Sequence, residues 1–151
     1  MRTVSFALAL LVAFSVSTTY AAGGPHAARA SNPGEAHALK GGVLATFAVG
    51  NEVFRLWTTN PQTIDQLYAL WNGTSTANIP IGPVERGPGK AGYNRPWTWH
   101  LDPQLTTMTE VAAEVCDAEP SYLQANLQTW IRTVGYYCPW GARLIGLQDF
   151  R

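Results

Sequence analysis

The chain has 151 residues, of which 46% are apolar and only 13% are charged, and its formal net charge is zero. This length suits one domain of ordinary size. No basic block is present, which argues against nucleic acid or an anionic membrane surface as a partner. A charged fraction well below the usual ~25% predicts a surface with apolar contact area.

The N-terminus has the order of a secretory signal. Arg2 precedes an apolar run at residues 6–14, and small residues follow up to Ala21 and Ala22. This order predicts a signal peptide over residues 1–22 and a secreted, extracellular protein. The run is too short to cross a membrane as a helix, so no integral membrane segment is expected after cleavage. An uncleaved anchor or a buried N-terminal helix is the alternative.

Residues 23–42 are rich in Gly, Ala, Pro, Ser and His and lack large periodic apolar residues. Such a segment cannot offset the entropy of ordering. It is therefore predicted to be a flexible leader, and a single globular domain is predicted over residues 43–151.

The two cysteines, Cys116 and Cys138, are predicted to form a disulfide, because an even count in an exported chain favours a bridge. Separate buried thiols are the alternative. With His100 the one histidine in the predicted domain, the cysteines do not make a tetrahedral zinc set. No metal and no cofactor are expected.

The first half of the domain predicts a hairpin and a helix. Residues 43–49 and 52–58 have strand patterns with a Gly-Asn turn between them. The second strand is apolar on both sides, which favours a central position in a sheet. A helix is predicted from Asn60, a suitable N-cap, with Pro61 in its first turn, to Gly73.

The second half predicts short strands around a second helix. Strand patterns are found at 79–84, 97–101 and 142–147, and a Gly/Pro-rich loop is predicted over 82–92. Residues 107–116 suit either a strand or a helix, and a strand paired with 97–101 is favoured. A helix is predicted from Pro120, with Ser121 and Gln124 as a capping box, to Gly135. The resulting order, ββαβββαβ, predicts an α+β fold on a mostly antiparallel sheet.

Two motifs suggest nucleotide binding or catalysis, and each is only a weak indication of that function. Residues 87–92 satisfy G-x-G-x-x-G, but Pro96 follows closely and opposes the helix that a dinucleotide site requires. His100, Asp102 and a carboxylate from Glu110 or Glu114 are the plausible acid–base set. The alternative is a histidine hydrogen-bonded across strands, with Asp102 capping its turn, and no nucleophile is evident.

Two further patterns concern surface chemistry. Glu114, Asp117 and Glu119 lie close in sequence and form either a calcium-binding cluster or a solvated acidic turn, the latter being favoured. Asn72, in Asn-Gly-Thr, is a candidate N-glycosylation site at a helix end.

The tryptophans fall into groups. Amphipathic spacing predicts that Trp57, Trp71 and Trp130 belong to the core. Trp97 and Trp99 are expected on one strand face. Trp140 follows Cys138-Pro139 in a turn, where it is either a partly exposed binding residue or a lid over the core.

Three blocks in order resemble the family of the N-terminal domain of a calmodulin-binding protein, the BP-seventy-four N-terminal-like domain. They are the Tyr-Asn-Arg-Pro-Trp-Thr-Trp-His-Leu-Asp-Pro run from residue 93, Glu-Val-Cys-Asp from residue 114 and Cys-Pro-Trp from residue 138. The resemblance spans residues 45–147 and implies a small, often secreted domain without known catalytic residues. It implies structural roles for the motif residues Tyr93, Asn94, Trp97, Trp99, His100 and Asp102.

Taken together, the sequence favours a secreted, non-enzymatic interaction module that binds an extracellular protein, with inhibition of an extracellular protease as the leading role. The expected contact surface is a rigid loop together with the turn after Cys138: Gly87, Pro88, Gly89, Lys90, Tyr93, Pro139 and Trp140. The alternatives are a small secreted hydrolase using His100 and Asp102, or a carbohydrate- or lipid-binding module using exposed tryptophan.

Overall fold

The computed structural model describes residues 33–151, so the predicted signal peptide and residues 23–32 of the predicted leader lie outside the described part. The fold is α+β with antiparallel pairing, as predicted. The helices are α1 (Pro33–Ala38), α2 (Pro61–Trp71), α3 (Pro120–Ala125) and α4 (Leu127–Thr129), and a π-helical turn, Trp130–Val134, follows α4. The strands are β1 (Val43–Val49), β2 (Glu52–Thr58), β3 (Ile79–Arg86), β4 (Trp99–Leu101), β5 (Thr107–Thr109), β6 (Tyr136–Tyr137) and β7 (Arg143–Asp149).

The strands form two antiparallel sheets. In the first, the order is β2-β1-β7, and the register of the predicted hairpin runs from Val43 opposite Thr58 to Val49 opposite Glu52. In the second, β3 pairs with β4, β5 and β6 along different parts of its length. No helix within residues 33–151 is long and apolar enough to span a lipid bilayer.

The main core lies where the two sheets and α2 meet. Phe54 of β2, Trp99 of β4 and Tyr137 of β6 contact each other with ring centroids 5.3–5.8 Å apart. Edge-to-face and tilted aromatic contacts of this kind add to the free energy of burying the rings. This aromatic cluster joins the first sheet to the second.

The other face of the first sheet carries a second, smaller core. Leu44 of β1 and Trp57 of β2 pack there with Leu39, Tyr93 and Phe150. Both faces of β2 are therefore covered, although β2 stands at the edge of its sheet. The prediction that β2 has a central position in its sheet was wrong. Its side chains are apolar on both sides because both faces of the strand are covered, and not because it has a neighbouring strand on each side.

Part of the predicted leader belongs to the folded domain. Residues 33–38 form α1, and Leu39 is fully buried. The indole N–H of Trp57 donates to the carbonyl of Leu39 at 3.1 Å. The prediction of a flexible leader up to residue 42 was wrong over residues 33–42, because Leu39 supplies the apolar anchor that the rest of the segment lacks.

Helix α2 begins and ends as the sequence predicts. The side chain of Asn60 accepts a hydrogen bond from the backbone N–H of Gln62, and Pro61 is the first helical residue. Gly73 has a φ of +72°, the left-handed conformation that glycine adopts without steric cost.

The second predicted helix is broken in two. The side chain of Asn126 donates to the carbonyl of Tyr122, and its backbone leaves helical geometry. Asparagine favours such local bonds over helix continuation. The predicted capping box is also wrong: the N–H of Ser121 donates to a carboxylate oxygen of Glu52 from β2 instead.

The region after β3 differs most from expectation. The strand continues to Arg86, through the first half of the predicted loop at 82–92. Residues 107–109 form β5 but pair with Ile79–Ile81 rather than with 97–101, and residues 114–116 form a 3₁₀ turn. Strand β6 has no counterpart in the predicted order.

Candidate functional site

The segment that carries the longest motif seals the free edge of β2. The backbone N–H of Arg55 donates to the side-chain oxygen of Asn94 at 2.7 Å, and the Asn94 amide donates to the carbonyl of Trp99 at 2.9 Å. The indole N–H of Trp97 donates to the carbonyl of Val53 at 2.8 Å. These bonds occupy backbone groups that an edge strand otherwise offers to another chain. Asn94 and Trp97 therefore have structural roles.

Tyr93 is a buried member of the second core, where it packs with Leu39, Leu44 and Trp57. It is 1% exposed, and its ring lies against Gly89, where a β-carbon would approach the ring to 2.2 Å. Gly89 also has a φ of +76°, so the close approach and the backbone both require glycine. Because Tyr93 is buried, it contributes no contact area to a partner, contrary to its place in the predicted surface.

His100 is held at both ring nitrogens. Nδ1 lies 2.9 Å from the carbonyl oxygen of Gly87, and Nε2 lies 3.0 Å from a carboxylate oxygen of Glu85. Both partners are acceptors, so the ring satisfies both contacts when both nitrogens carry hydrogen. Both ring nitrogens of His100 therefore face atoms of the protein itself.

The predicted acid–base set is not assembled. Glu85, rather than Glu110 or Glu114, is the carboxylate beside His100. The side chain of Asp102 accepts from the backbone N–H groups of Gln104 and Leu105, at 2.7 and 2.9 Å, and so caps the turn between β4 and β5. The role of Glu85 was missed because it follows from the pairing of β3 with β4, which the sequence did not predict.

The rigid loop lies over the second core. The N–H of Gly87 donates to the carbonyl of Thr98 at 2.7 Å, which closes the loop at its base. The ammonium group of Lys90 lies 5.1 Å from the centre of the Trp57 ring, within range of a cation–π contact. Gly87, Pro88 and Gly89 are half-buried and Lys90 is exposed, so this half of the predicted surface offers little apolar area.

The disulfide fixes the opposite end of β3. Cys116 and Cys138 are bonded, as predicted, and pack against Ile79. Pro139 is buried, whereas Trp140 is 41% exposed. The N–H of Trp140 donates to the side chain of Asp117 at 2.9 Å, which holds the turn beside the bridge.

An exposed segment precedes the bridge. Val111 is 79% exposed and Val115 is 69% exposed. Both sulfur atoms of the disulfide lie within 3.3 Å of the carbonyl oxygen of Ala113. We refer to Val111, Ala113, Val115 and Trp140 as the disulfide-end surface. Sequence reasoning assigned residues 107–116 to a paired strand and so missed this exposure.

The two halves of the predicted contact surface do not form one surface. Gly87 follows the last residue of β3, while the disulfide packs on its first residue. An eight-residue strand spans roughly 25 Å. A partner therefore meets the loop and the Trp140 turn as separate patches.

The remaining predicted residues have mixed outcomes. Trp57 and Trp130 are buried as predicted, but Trp71, the last residue of α2, is 46% exposed. Asn72, the candidate glycosylation site, is exposed and caps the same helix end. Within residues 33–151, no three His, Cys, Asp or Glu side chains are grouped as a metal site, so Glu114, Asp117 and Glu119 do not converge.

Comparison with known proteins gives one result at the family level. The family model described as the BP-seventy-four N-terminal domain matches residues 43–150. No curated protein and no solved structure matches the chain significantly.

Proposed function

The chain belongs to the BP-seventy-four N-terminal domain family, and from that premise we propose that it is a secreted, non-enzymatic interaction module that inhibits an extracellular protease. The carrying observation is the disulfide-end surface, where exposed apolar side chains lie within a few residues of two cysteines that are covalently joined. The signal-like N-terminus and the disulfide support export, since disulfides persist in oxidising compartments.

The arrangement of His100 supports a non-enzymatic role. Its two nitrogens are occupied by Gly87 and Glu85. A general base must lie within reach of the substrate proton that it removes, whereas both nitrogens of this ring face atoms of the protein. Asp102 is equally occupied in capping its turn.

The backbone before the bridge supports a protease as the partner. Residues 111–113 belong to no helix or strand, and Ala113 has an extended φ/ψ of −75° and 141°. The N–H groups of Ala112 and Ala113 make no hydrogen bond within the described part of the chain. An extended segment with free backbone groups can add to a partner as a strand, with side chains entering alternate pockets.

The disulfide lowers the cost of that binding. Cys116 is bonded to Cys138, and the N–H of Cys138 donates to the carbonyl of Cys116 at 2.9 Å. The end of the segment is therefore fixed before a partner arrives. Pre-ordering of this kind improves affinity because less conformational freedom is lost on association.

Inhibition assays with the protein lacking residues 1–22 test the proposal. Serine, cysteine, aspartic and metallo-proteases of extracellular type are assayed with short peptide substrates. We expect inhibition of at least one class, and we expect that Val115→Arg combined with Trp140→Ala raises the inhibition constant by about a hundredfold, as loss of two hot-spot residues does.

Leu105→Arg is the matched control, because Leu105 is 64% exposed and lies outside the disulfide-end surface. It should leave inhibition unchanged. The proposal fails if no class is inhibited, or if the control weakens inhibition as much as the double variant.

A further inference from the structure

An open groove lies between the end of α2 and the start of β7. It has a volume of about 370 Å³ and is lined by Leu70, Trp71, Asn78, Ala142, Arg143 and Leu144. This volume lies within the range of small-molecule sites. The groove shares no residue with the disulfide-end surface and is independent of the proposed inhibition.

The polar groups of the groove are mostly unused hydrogen-bond donors. The guanidinium of Arg143 and the indole N–H of Trp71 make no hydrogen bond or ion pair within residues 33–151. The amide nitrogen of Asn78 donates to the carbonyl of Ala142 at 2.9 Å, which fixes this amide and leaves its oxygen as an acceptor. Two donors and one acceptor are therefore available to a ligand, and the acceptor is held in place by the bond to Ala142.

The charge of the lining selects an anion. Arg143 is charged, and no Asp or Glu lines the groove. A planar guanidinium binds a carboxylate through two parallel hydrogen bonds. A free amino acid is disfavoured because its ammonium group would find no carboxylate partner here.

The apolar part of the lining favours a ligand that has an apolar face beside its charged group. Trp71 is 46% exposed, so its ring offers a flat surface to a ligand, and Leu70 and Leu144 complete the apolar wall. A pyranose ring presents an apolar C–H face to such a platform and hydroxyl groups to an amide such as that of Asn78. We propose that this groove binds an acidic saccharide of the uronic acid type, with the sugar ring on Trp71 and its carboxylate on Arg143.

Titration of the protein with oligogalacturonate, followed by tryptophan fluorescence and calorimetry, tests this site, with a galactose oligomer of equal length as the neutral probe. We expect the acidic oligomer to bind at least about tenfold more tightly, as a charge-assisted hydrogen-bonded pair provides. Arg143→Gln should reduce its affinity to that of the neutral oligomer. Arg132→Gln removes another exposed arginine and should change nothing.

The platform is tested separately. Trp71→Ala should abolish binding of both oligomers and Trp71→Phe should weaken it, while Trp140→Ala, at an exposed tryptophan outside the groove, should have no effect. Thermal unfolding of each variant verifies its fold. Equal affinity for the two oligomers, no binding of either, or persistence of binding in Trp71→Ala overturns the proposal. So does preferential binding of a peptide through its terminal carboxylate.

Discussion

Two tyrosines show how burial changes the chemistry of single side chains in this fold. Burial raises the pKa of Tyr93 and of Tyr137 above the usual value of 10, because the ionised form would lose its hydration. The hydroxyl of Tyr137 donates to the carbonyl of Ala118 at 2.9 Å. The hydroxyl of Tyr93 has no well-formed hydrogen bond within the described residues; the backbone of Trp57 is close enough to lower its pKa, but by less than burial raises it.

The Tyr93→Phe variant is therefore expected to be stabilised by about 1 kcal/mol at neutral pH, since it removes a buried hydroxyl without a partner. A raised pKa in the folded state contributes stability that is complete below pH 10 and is lost as the pH rises beyond that value. The variant should thus lose less stability between pH 9 and 11 than the original protein. Urea unfolding across this pH range measures both effects.

Tyr137→Phe provides the comparison for this prediction. It should lose stability at neutral pH because it gives up the bond to Ala118. Equal behaviour of the two variants at neutral pH would show that the hydroxyl of Tyr93 has a partner after all.

At the scale of elements, the edge of β2 is closed by side chains rather than by another strand. Asn94 bridges Arg55 and Trp99, and Trp97 bonds to Val53. Such sealing prevents the edge from pairing with a second copy of the chain. It also explains why the motif from residue 93 to residue 102 is dense in polar and aromatic residues although it contains no assembled catalytic set.

Asn94→Ala is expected to cost about 2 to 4 kcal/mol of stability, because the partly buried N–H of Arg55 and the buried carbonyl of Trp99 lose their partners together. The exposed edge should also increase self-association. Chemical unfolding and light scattering measure these effects. Asn72→Ala is the control, since Asn72 is exposed and its side chain has no bond within residues 33–151; a similar loss there would contradict the edge-sealing role.

The sequence correctly predicted those turns and helix ends that are determined by a few neighbouring residues. The hairpin at Gly50, the cap at Asn60 and the stop at Gly73 each depend on a few neighbouring residues, and the structure confirms them. The disulfide also followed from composition and is present.

Pairing between distant segments was not predictable in the same way. The partner of residues 107–109 is β3, and Glu85 meets His100 only because β3 extends to Arg86 and pairs with β4. The exposed segment before Cys116 follows from this shorter β5. Strand register of this kind depends on the whole sheet, so single-sequence patterns placed the acid–base set and the contact surface incorrectly.

For the whole molecule, the second core depends on a segment that precedes the residues matched by the family model. The match begins at residue 43, whereas Leu39 is fully buried and its carbonyl accepts from Trp57. Residues 33–42, the cover segment, thus share the covering of this face of the sheet with Tyr93 and Phe150. The domain boundary set by structure is earlier than the boundary set by sequence similarity.

Leu39→Ala is expected to destabilise the protein by about 2 to 4 kcal/mol, as removal of a fully buried leucine side chain does. Limited proteolysis should then cut within residues 33–42 more rapidly. Leu105→Ala, at an exposed leucine, should change stability by less than about 0.5 kcal/mol. Equal stability of the two variants would show that this segment is not part of the cooperative fold.

The cover segment is hydrogen-bonded to Phe150, the residue that follows β7. The N–H of Gly41 donates to the carbonyl of Phe150 at 2.8 Å, and the N–H of Phe150 donates to the carbonyl of Gly42 at 2.9 Å. Two backbone bonds thus tie the end of the cover segment to the residue that follows β7. Fraying of the residues after β7 and release of the cover segment are therefore expected to occur together.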